Sequence, residues 1–171
     1  PNCAAHDAQR VMAEPPKYRV GLIGAGRAGP SRARGVDAHP LCKVVAIADT
    51  DPANLDLTAT RFGAAPYDNY ESMLSREALD IVLAVLPVRP NADAVVAAAE
   101  TGARAIFCEK PLTASLADAD RMVDACATRD IPLGCGVMVS SHPDYSRAYQ
   151  MVADGEIGDL RRIDNYDSNG Q

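Results

Sequence analysis

The sequence lacks the features that mark several classes of protein. Its net charge is −6 and its pI is about 5.0, so it has no surplus of basic residues to neutralise nucleic-acid phosphates. No apolar run approaches the roughly 18 residues that span a membrane, and the N-terminal stretch has no apolar segment of the kind found in signal peptides. We therefore predict a cytoplasmic protein that binds neither nucleic acid nor membranes.

Cys-x-x-Cys pairs are also missing from the sequence. The chain has 5 cysteines, none of them in such a pair, and its 3 histidines lie far from one another in sequence. A structural zinc site needs such pairs, whereas scattered thiols in odd number are typical of a reduced protein. The sequence therefore predicts free cysteines and no metal site.

What the sequence does contain is a regular alternation of short apolar runs and helical stretches. The runs are nearly continuous, which is typical of strands buried on both faces of a sheet. Six runs have this character: residues 19–24, 43–48, 64–67, 80–86, 105–108 and 131–137. Because helices of about 10 to 15 residues separate most of them, we predict an α/β fold built from βαβ units. Right-handed crossovers then predict a parallel, doubly wound (Rossmann) sheet with strand order 3-2-1-4-5-6.

Local signals predict several helix ends. Pro52 lies in the first turn of the second predicted helix, and Gly63 follows its last residue. Ser115 and Asp118 have the spacing of a capping box at the start of a later helix. One face of that later helix is predicted to carry the apolar side chains of Leu116, Ala119, Met122, Val123 and Cys126.

The pattern changes after Val137. A helix is predicted over residues 144–154 and the start of a strand over 160–163, followed by a polar run. We therefore predict a disordered tail at 1–16, a doubly wound α/β domain at 17–137, and at 138–171 the start of a second α/β domain that is largely absent. Apolar residues that such a truncation leaves uncovered are expected to form an exposed patch near Val137, Met138, Val139 and Ile163.

A glycine loop follows the first predicted strand directly and opens a helix. Its sequence, Gly24-Ala-Gly26-Arg-Ala-Gly29, matches the Gly-x-Gly-x-x-Gly fingerprint of dinucleotide-binding folds, and its context gives the match its specificity. Gly24 permits the tight turn, Gly26 lets the backbone approach a pyrophosphate, and Gly29 lets the helix pack close to the strand. The N-terminus of the helix then offers free amides to the phosphates.

An acidic residue follows the second predicted strand. Asp49 lies 20 residues after Gly29, where a carboxylate accepts hydrogen bonds from the 2′-hydroxyl of the adenosine ribose. A carboxylate repels a 2′-phosphate, and no Arg or Lys stands at positions 50–52, so we predict NAD in preference to NADP. Methyltransferases that bind S-adenosylmethionine use a similar loop and acid, and these two motifs leave that alternative open.

A second motif, Cys108-Glu109-Lys110-Pro111-Leu112, follows the fifth predicted strand. Ligands of a doubly wound sheet bind at the carboxyl ends of the strands, so this turn should face the nicotinamide end of the cofactor. A lysine there can polarise a carbonyl or assist proton transfer, and Pro111 should restrict Lys110 to an extended backbone. The tripeptide by itself is also consistent with a solvated Glu-Lys pair in a surface loop.

Four sequence blocks, taken in order, resemble one family. They are Gly-Leu-Ile-Gly-Ala-Gly at 21–26, Val-Val-Ala-Ile-Ala-Asp at 44–49, Cys-Glu-Lys-Pro-Leu at 108–112 and Gly-Glu-Ile-Gly-Asp-Leu at 155–160. Between Tyr18 and Ile163 the sequence resembles the glucose–fructose oxidoreductase, inositol dehydrogenase and MocA (Gfo/Idh/MocA) family. The resemblance implies an NAD(P)-dependent oxidoreductase that acts on a sugar, a polyol or a related small molecule. It also implies a homo-oligomer for the full-length protein.

The resemblance further implies which residues form the site. Lys110 is expected beside the nicotinamide and the substrate hydroxyl as the catalytic residue, with Glu109 and Pro111 shaping its turn. A methyltransferase has no use for this turn, so the resemblance favours NAD over S-adenosylmethionine. The residues expected to contact the cofactor are Gly24, Gly26, Arg27, Ala28, Asp49, Thr50, Leu86, Pro87, Glu109 and Lys110.

The sequence departs from the family pattern at several positions. Leu86-Pro87 stands where members often have Thr-Pro, and Met138 and Ser140 stand where many have Asn and Arg. His142 is the only imidazole nearby, and we expect an ordinary loop residue rather than a catalytic base. The Asp-x-x-x-His pair of the family's second domain does not occur in this sequence. Two hypotheses remain: the cofactor-binding half of an oxidoreductase, or a stand-alone NAD-binding module that serves as a sensor or scaffold.

Overall fold

The computed structural model describes residues 17–136 and 142–164. The chain divides into two compact units, residues 1–136 and 137–171. The predicted tail at 1–16 lies outside the described residues, as do Val137, Met138, Val139 and Ser140. The domain bounds at 17–137 and 138–171 therefore stay a prediction.

The first unit is built around a parallel sheet of six strands. These are β1 (Tyr18–Ile23), β2 (Cys42–Ala48), β3 (Ala65–Tyr67), β4 (Ile81–Ala84), β5 (Ala105–Cys108) and β6 (Leu133–Cys135). They are hydrogen-bonded in the order β3-β2-β1-β4-β5-β6, and every neighbouring pair is parallel. The predicted α/β fold and its strand order are confirmed.

Helices cover the sheet and explain why its strands are apolar throughout. The helices of the first unit are α1 (Gly29–Asp37), α2 (Pro52–Phe62), α3 (Tyr70–Arg76), α4 (Asn91–Glu100) and α5 (Leu116–Ala127). The second unit, described by itself, contains α6 (Pro143–Ala153). Buried side chains form two separate clusters. Helices α1 and α2 contribute to one cluster, and α3, α4 and α5 contribute to the other. A sheet that is covered on both faces requires strands that are apolar on both faces.

The ends of α2 follow the predicted signals. The Asp51 side chain caps the helix by accepting hydrogen bonds from the amides of Ala53 and Asn54, and Pro52 lies in the first turn. Gly63 adopts a φ of 62° at the C-terminal end, a left-handed conformation that glycine adopts without steric cost. Both predicted signals at this helix are confirmed.

Helix α5 corrects two details of the sequence prediction. Ser115 Oγ accepts a hydrogen bond from the amide of Asp118, but the Asp118 carboxylate accepts from Arg121 instead of returning to Ser115, so only half of the capping box forms. Of the predicted apolar face, Leu116 is 87% exposed and Val123 is 51% exposed, whereas Met122 and Cys126 are buried. The buried stripe of α5 is narrower than predicted because this helix, which precedes the edge strand β6, has packing neighbours on one side only.

The sequence analysis did not predict helix α3. It also predicted three strands that are longer than the observed ones. Helix α3 has 7 residues, too few for a helical period to be read, although Asn69 caps it by accepting from the amide of Ser72 at 2.8 Å. The paired portions of β3, β4 and β6 have 3, 4 and 3 residues. Apolar runs therefore extend past the ends of the hydrogen-bonded ladder, where they continue the core.

In the second unit, helix α6 is present near its predicted position. His142 caps it, with Nδ1 accepting a hydrogen bond from the amide of Asp144 at 3.3 Å, so this histidine has a structural role. Residues 160–163 form no strand, contrary to the prediction, and Ile163 is 73% exposed. None of the helices in the described parts of both units has the length and apolar character needed to cross a bilayer.

Candidate active site

The glycine loop occupies the corner between β1 and α1. Gly24 has a φ of 95°, and a Cβ at this position would overlap the carbonyl oxygen of Val85. A Cβ at Gly29 would overlap the carbonyl oxygen of Gly24. A Cβ at Gly26, by contrast, would meet no atom within 4 Å. Two of the glycines are thus required by the fold, while the third leaves open space beside the backbone.

The start of α1 leaves backbone amides without acceptors. Ala28 stands at the N-cap position with no side-chain cap, and Pro30 lies in the first turn. Within the described part of the first unit, the amides of Gly26, Arg27 and Ala28 donate no hydrogen bond to the protein. Free amides at the positive end of a helix dipole, beside the open space at Gly26, fit a pyrophosphate group.

Asp49 follows β2 and fastens the glycine loop. Its Oδ2 accepts a hydrogen bond from the amide of Ala25 at 2.5 Å, and its Oδ1 accepts one from the amide of Asp51 at 2.8 Å. The carboxylate thus joins the loop to the turn between β2 and α2, a structural role that the sequence analysis missed. Because a carboxylate has about four lone-pair sites, two remain for the hydroxyls of a ribose.

A cleft of about 450 Å³ lies beside the carboxyl ends of the strands. Its volume is in the range of small-molecule sites, which is roughly 300–1,000 Å³. Six of the residues predicted to contact the cofactor line it: Gly24, Gly26, Asp49, Thr50, Leu86 and Pro87. Asn54 and residues 68–71 also line it and were not predicted. The short apolar run before residue 68 predicts a strand, but it does not indicate which of the following side chains line the cleft.

The remaining predicted residues lie elsewhere. Arg27 lines a neighbouring cavity, and Ala28 stands at the N-cap of α1. Glu109 and Lys110 follow β5 and do not line the cleft; Glu109 is buried and Lys110 is exposed. The peptide bond between Lys110 and Pro111 is cis, a conformation that the sequence prediction did not include.

An ion pair joins α1 to the Glu-Lys-Pro turn. Arg32 Nε lies 2.6 Å from Glu109 Oε2, and the Glu109 side chain is only 8% exposed. Glu109 Oε1 also accepts a hydrogen bond from the amide of Lys110 at 3.2 Å. The hydrogen bond from Arg32 holds the pKa of Glu109 below its usual value, although burial acts in the opposite direction. Glu109 therefore stays ionised and anchors the turn rather than remaining a solvated partner of Lys110.

Asn91 of α4 also supports this turn. It is the first residue of α4 and is 1% exposed. Its amide nitrogen donates to the carbonyl oxygens of Pro111 and Leu112, each at 3.3 Å. Within the described residues its Oδ1 is buried and has no partner. A buried acceptor without a hydrogen-bond donor lowers the free energy of unfolding by about 1–3 kcal/mol. Asn91 therefore fixes the position of the turn at some cost in stability.

Cys108 packs beneath the turn. It is fully buried, and burial raises the pKa of its thiol to about 12. Its Sγ lies 3.5 Å from the carbonyl oxygen of Glu109. A thiol that stays protonated is a poor nucleophile, so Cys108 has a packing role beneath the turn. No group of residues suited to holding a metal ion occurs in the described ranges 17–136 and 142–164.

Comparison with a protein-family model tests the family resemblance of the sequence. The model described as "Oxidoreductase family, NAD-binding Rossmann fold" (GFO_IDH_MocA) matches residues 18–137. The chain belongs to this family. The resemblance carried by the four sequence blocks is therefore confirmed, the first unit is an NAD(P)-binding Rossmann domain, and the methyltransferase alternative is set aside.

Individual relatives agree with this membership. The chain is 31% identical over 144 residues to dTDP-3,4-didehydro-2,6-dideoxy-alpha-D-glucose 3-reductase of Actinomadura kijaniata, an alignment that covers 84% of this chain and 43% of the reductase. It is 37% identical over 117 residues to D-xylose 1-dehydrogenase (NADP(+)) 2 of Haloferax volcanii, covering 68% of this chain and 35% of that enzyme.

A solved structure agrees with the fold as well. Myo-inositol 2-dehydrogenase from Lactobacillus plantarum aligns with a TM-score of 0.77 and 28% identity, over 84% of this chain and 43% of the dehydrogenase. The chain thus spans less than half the length of the relatives it matches.

Proposed function

We propose that this chain is the cofactor-binding half of an NAD(H)-dependent oxidoreductase that acts on a hydroxyl-bearing carbon of a sugar, polyol or related small molecule. The observation that carries the proposal is the arrangement around α1. Free amides at its N-terminus adjoin the cleft that Asp49 lines, and its Arg32 anchors the turn that bears Lys110. The names of relatives that reduce a dideoxy-sugar or oxidise xylose support the substrate class.

Two parts of the site are proposed to bind the dinucleotide. The amides of residues 26–28 bind the pyrophosphate, and Asp49 accepts hydrogen bonds from the adenosine ribose. Because a carboxylate at the ribose disfavours an adjacent phosphate, NAD(H) is the proposed cofactor. When bound, its nicotinamide supplies C4 as the site that accepts or donates a hydride.

Lys110 is the proposed catalytic residue. An exposed ammonium group on an anchored turn can donate a hydrogen bond to the substrate hydroxyl and assist movement of its proton. Correct placement of reacting groups lowers a barrier by about 7–11 kcal/mol in favourable cases. Lys110 alone cannot position the substrate, so the proposal assigns the rest of the substrate pocket, and the base that takes the proton, to residues other than those described.

The experiment has two steps. First, titration of the chain with NADH, followed by nicotinamide fluorescence, should give saturable micromolar binding; no binding would refute the proposed cofactor site. Second, Lys110→Ala in the protein encoded by the full reading frame should lower kcat much more than NADH affinity. An unchanged kcat would remove Lys110 from the mechanism, and NADH binding without turnover of any polyol or sugar would favour a stand-alone NAD-binding module.

A further inference from the structure

Two cysteines lie opposite each other at one edge of the sheet. Cys108 is the last residue of β5, Cys135 is the last residue of the edge strand β6, and the parallel register pairs them directly. The amide of Gly136 donates a hydrogen bond to the carbonyl oxygen of Cys108 at 2.9 Å, in keeping with this register. Both cysteines are free thiols. The fold therefore places two thiols at the same level on neighbouring strands.

The two cysteines also share one face of the sheet. Successive side chains of a strand alternate between faces, so residues two apart lie on the same face. Ile106, two residues before Cys108, belongs to one buried cluster, and Leu133, two residues before Cys135, packs against the same cluster. Neighbouring strands lie about 4.7–4.9 Å apart, and a disulfide joins residues whose Cα atoms are about 4.4–6.8 Å apart. The pair therefore has the spacing that a disulfide requires.

The two thiols differ in their access to solvent. Cys135 is exposed, whereas Cys108 is fully buried. Burial and, to a smaller extent, the neighbouring Cys135 raise the pKa of the Cys108 thiol to about 12, so this thiol is protonated at neutral pH. An oxidant in solution therefore reaches Cys135 first. Cys108 lies beside the sulfur that has been oxidised, which is the position of a resolving cysteine.

Cys108 also contacts the Glu-Lys-Pro turn. Its thiol is within hydrogen-bonding distance of the carbonyl oxygens of Glu109, at 3.5 Å, and Leu112, at 3.9 Å. These two carbonyl groups flank the segment that contains Lys110. A disulfide has no thiol proton to donate, so oxidation of Cys108 removes this support of the turn.

We propose that Cys108 and Cys135 form a reversible disulfide when the protein meets hydrogen peroxide, and that this bond loosens the turn that bears Lys110. In the first step the Cys135 thiolate attacks one peroxide oxygen and breaks the O–O bond. The sulfur is oxidised to a sulfenic acid, the peroxide is reduced, and the departing hydroxide takes up a proton to give water.

In the second step the sulfur of Cys108 attacks the sulfenic sulfur of Cys135. The S–S bond forms, the S–O bond breaks, and the oxygen leaves with the Cys108 proton as a second water. A sulfenic acid condenses with an adjacent thiol, so proximity compensates for the low nucleophilicity of a protonated thiol. Two thiols and one peroxide thus give one disulfide and two waters. Because Cys135 is exposed, a dithiol such as dithiothreitol can reduce the bond again.

Peptide mapping after peroxide treatment tests whether the disulfide forms. Remaining thiols are blocked with N-ethylmaleimide in denaturant, and trypsin then leaves each cysteine on a peptide of its own, with Cys108 in residues 105–121 and Cys135 in residues 130–147. We expect a cross-link between these two peptides that dithiothreitol removes. The absence of this cross-link overturns the inference, and so does a cross-link between two copies of residues 130–147, which would join separate chains.

Two serine variants sharpen this experiment. Cys135→Ser changes an exposed side chain and should fold, and it should abolish the cross-link. Cys42→Ser is the matched control, because Cys42 is a free cysteine at the start of β2 and lies outside the pair. It should leave the cross-link intact. Loss of the cross-link in Cys42→Ser would show that the oxidation passes through another cysteine and would overturn the inference.

Hydrogen exchange tests the effect on the turn without any assay of activity. After oxidation, amides in residues 109–113 of the wild type should exchange about tenfold faster, and those of Cys135→Ser should be unchanged by peroxide. Unchanged exchange in the cross-linked wild type overturns the loosening of the turn.

The consequence for catalysis rests on the proposed function of Lys110. In the protein encoded by the full reading frame, oxidation should lower kcat about tenfold, dithiothreitol should restore it, and Cys135→Ser should keep its activity in peroxide. Full activity of the cross-linked protein overturns this consequence. A protein that forms the cross-link, but in its reduced state neither binds NADH nor turns over a sugar or polyol, supports the disulfide and refutes the proposed function, which distinguishes the two failures.

Discussion

The two ends of the candidate site are built in different ways. The glycine loop at residues 24–29 is shaped by backbone, since carbonyl oxygens leave no room for side chains at Gly24 and Gly29. The Glu-Lys-Pro turn is held by side chains from distant elements, namely Arg32 of α1 and Asn91 of α4. Substitutions at the loop should therefore act through steric overlap, whereas substitutions at the turn should act through lost or mismatched polar contacts.

The largest expected effect is at Gly24. The methyl group of Gly24→Ala would overlap the Val85 carbonyl oxygen, and the φ of 95° is unfavourable for alanine. We expect the free energy of unfolding to fall by about 4 kcal/mol, measured by urea denaturation, together with loss of NADH binding.

Gly26→Ala is the matched control for this loop. A methyl group there meets no protein atom within 4 Å, so stability should change by less than about 1 kcal/mol while NADH binding weakens. If Gly24→Ala and Gly26→Ala lowered the free energy of unfolding equally, the two glycines would not differ as inferred, with Gly24 required by the fold and Gly26 leaving room for a ligand.

A smaller effect is expected at Asn91. Asn91→Asp replaces the donor with a carboxylate that faces the carbonyl oxygens of Pro111 and Leu112 in a buried position. We expect a loss of about 3 kcal/mol in urea denaturation. Asn91→Leu, which also removes the orphaned Oδ1, should cost only about 1 kcal/mol. Similar costs for both variants would argue against the hydrogen bonds to the turn.

The smallest of these effects concerns the Arg32–Glu109 pair and depends on pH. The folded-state pKa of Glu109 is lowered from 4.5, so the pair stabilises the fold fully above that pH and loses its contribution as pH falls through the folded-state pKa. Glu109→Gln should lower the unfolding free energy by about 2 kcal/mol at neutral pH, and the difference from the wild type should shrink in acid.

An exposed ion pair provides the control for this pH dependence. Asp118 and Arg121 have side chains that are 36% and 53% exposed, and Asp118→Asn should cost less than about 0.5 kcal/mol. A Glu109→Gln difference that stays constant from neutral to acid pH would show that Glu109 acts by packing alone.

Features that depend on short-range sequence were predictable. The strand order followed from apolar runs and crossover handedness, and α2 was bounded by Pro52 and Gly63 through backbone preferences that are local. The glycine loop and Asp49 were found because their spacing is set by the length of one βαβ unit.

Features that depend on long-range contacts were not predictable from one sequence. Arg32 and Glu109 are 77 residues apart, and Asn91 lies 20 residues from Pro111, so no local pattern connects them. The face of α5 was predicted too wide because hydrophobic periodicity does not reveal how many neighbours a helix has.

The position of Arg32 has a consequence for how the two ends communicate. It lies about one turn into α1, the helix whose first amides are available to a pyrophosphate, and its side chain grips the carboxylate next to Lys110. We expect a ligand that orders the beginning of this helix to restrain the lysine's turn, and thermodynamic reciprocity then requires that whatever restrains the turn strengthens binding at the helix by the same factor. We therefore expect the Arg32 guanidinium group to connect occupancy of the proposed cofactor site with the position of the lysine proposed for catalysis.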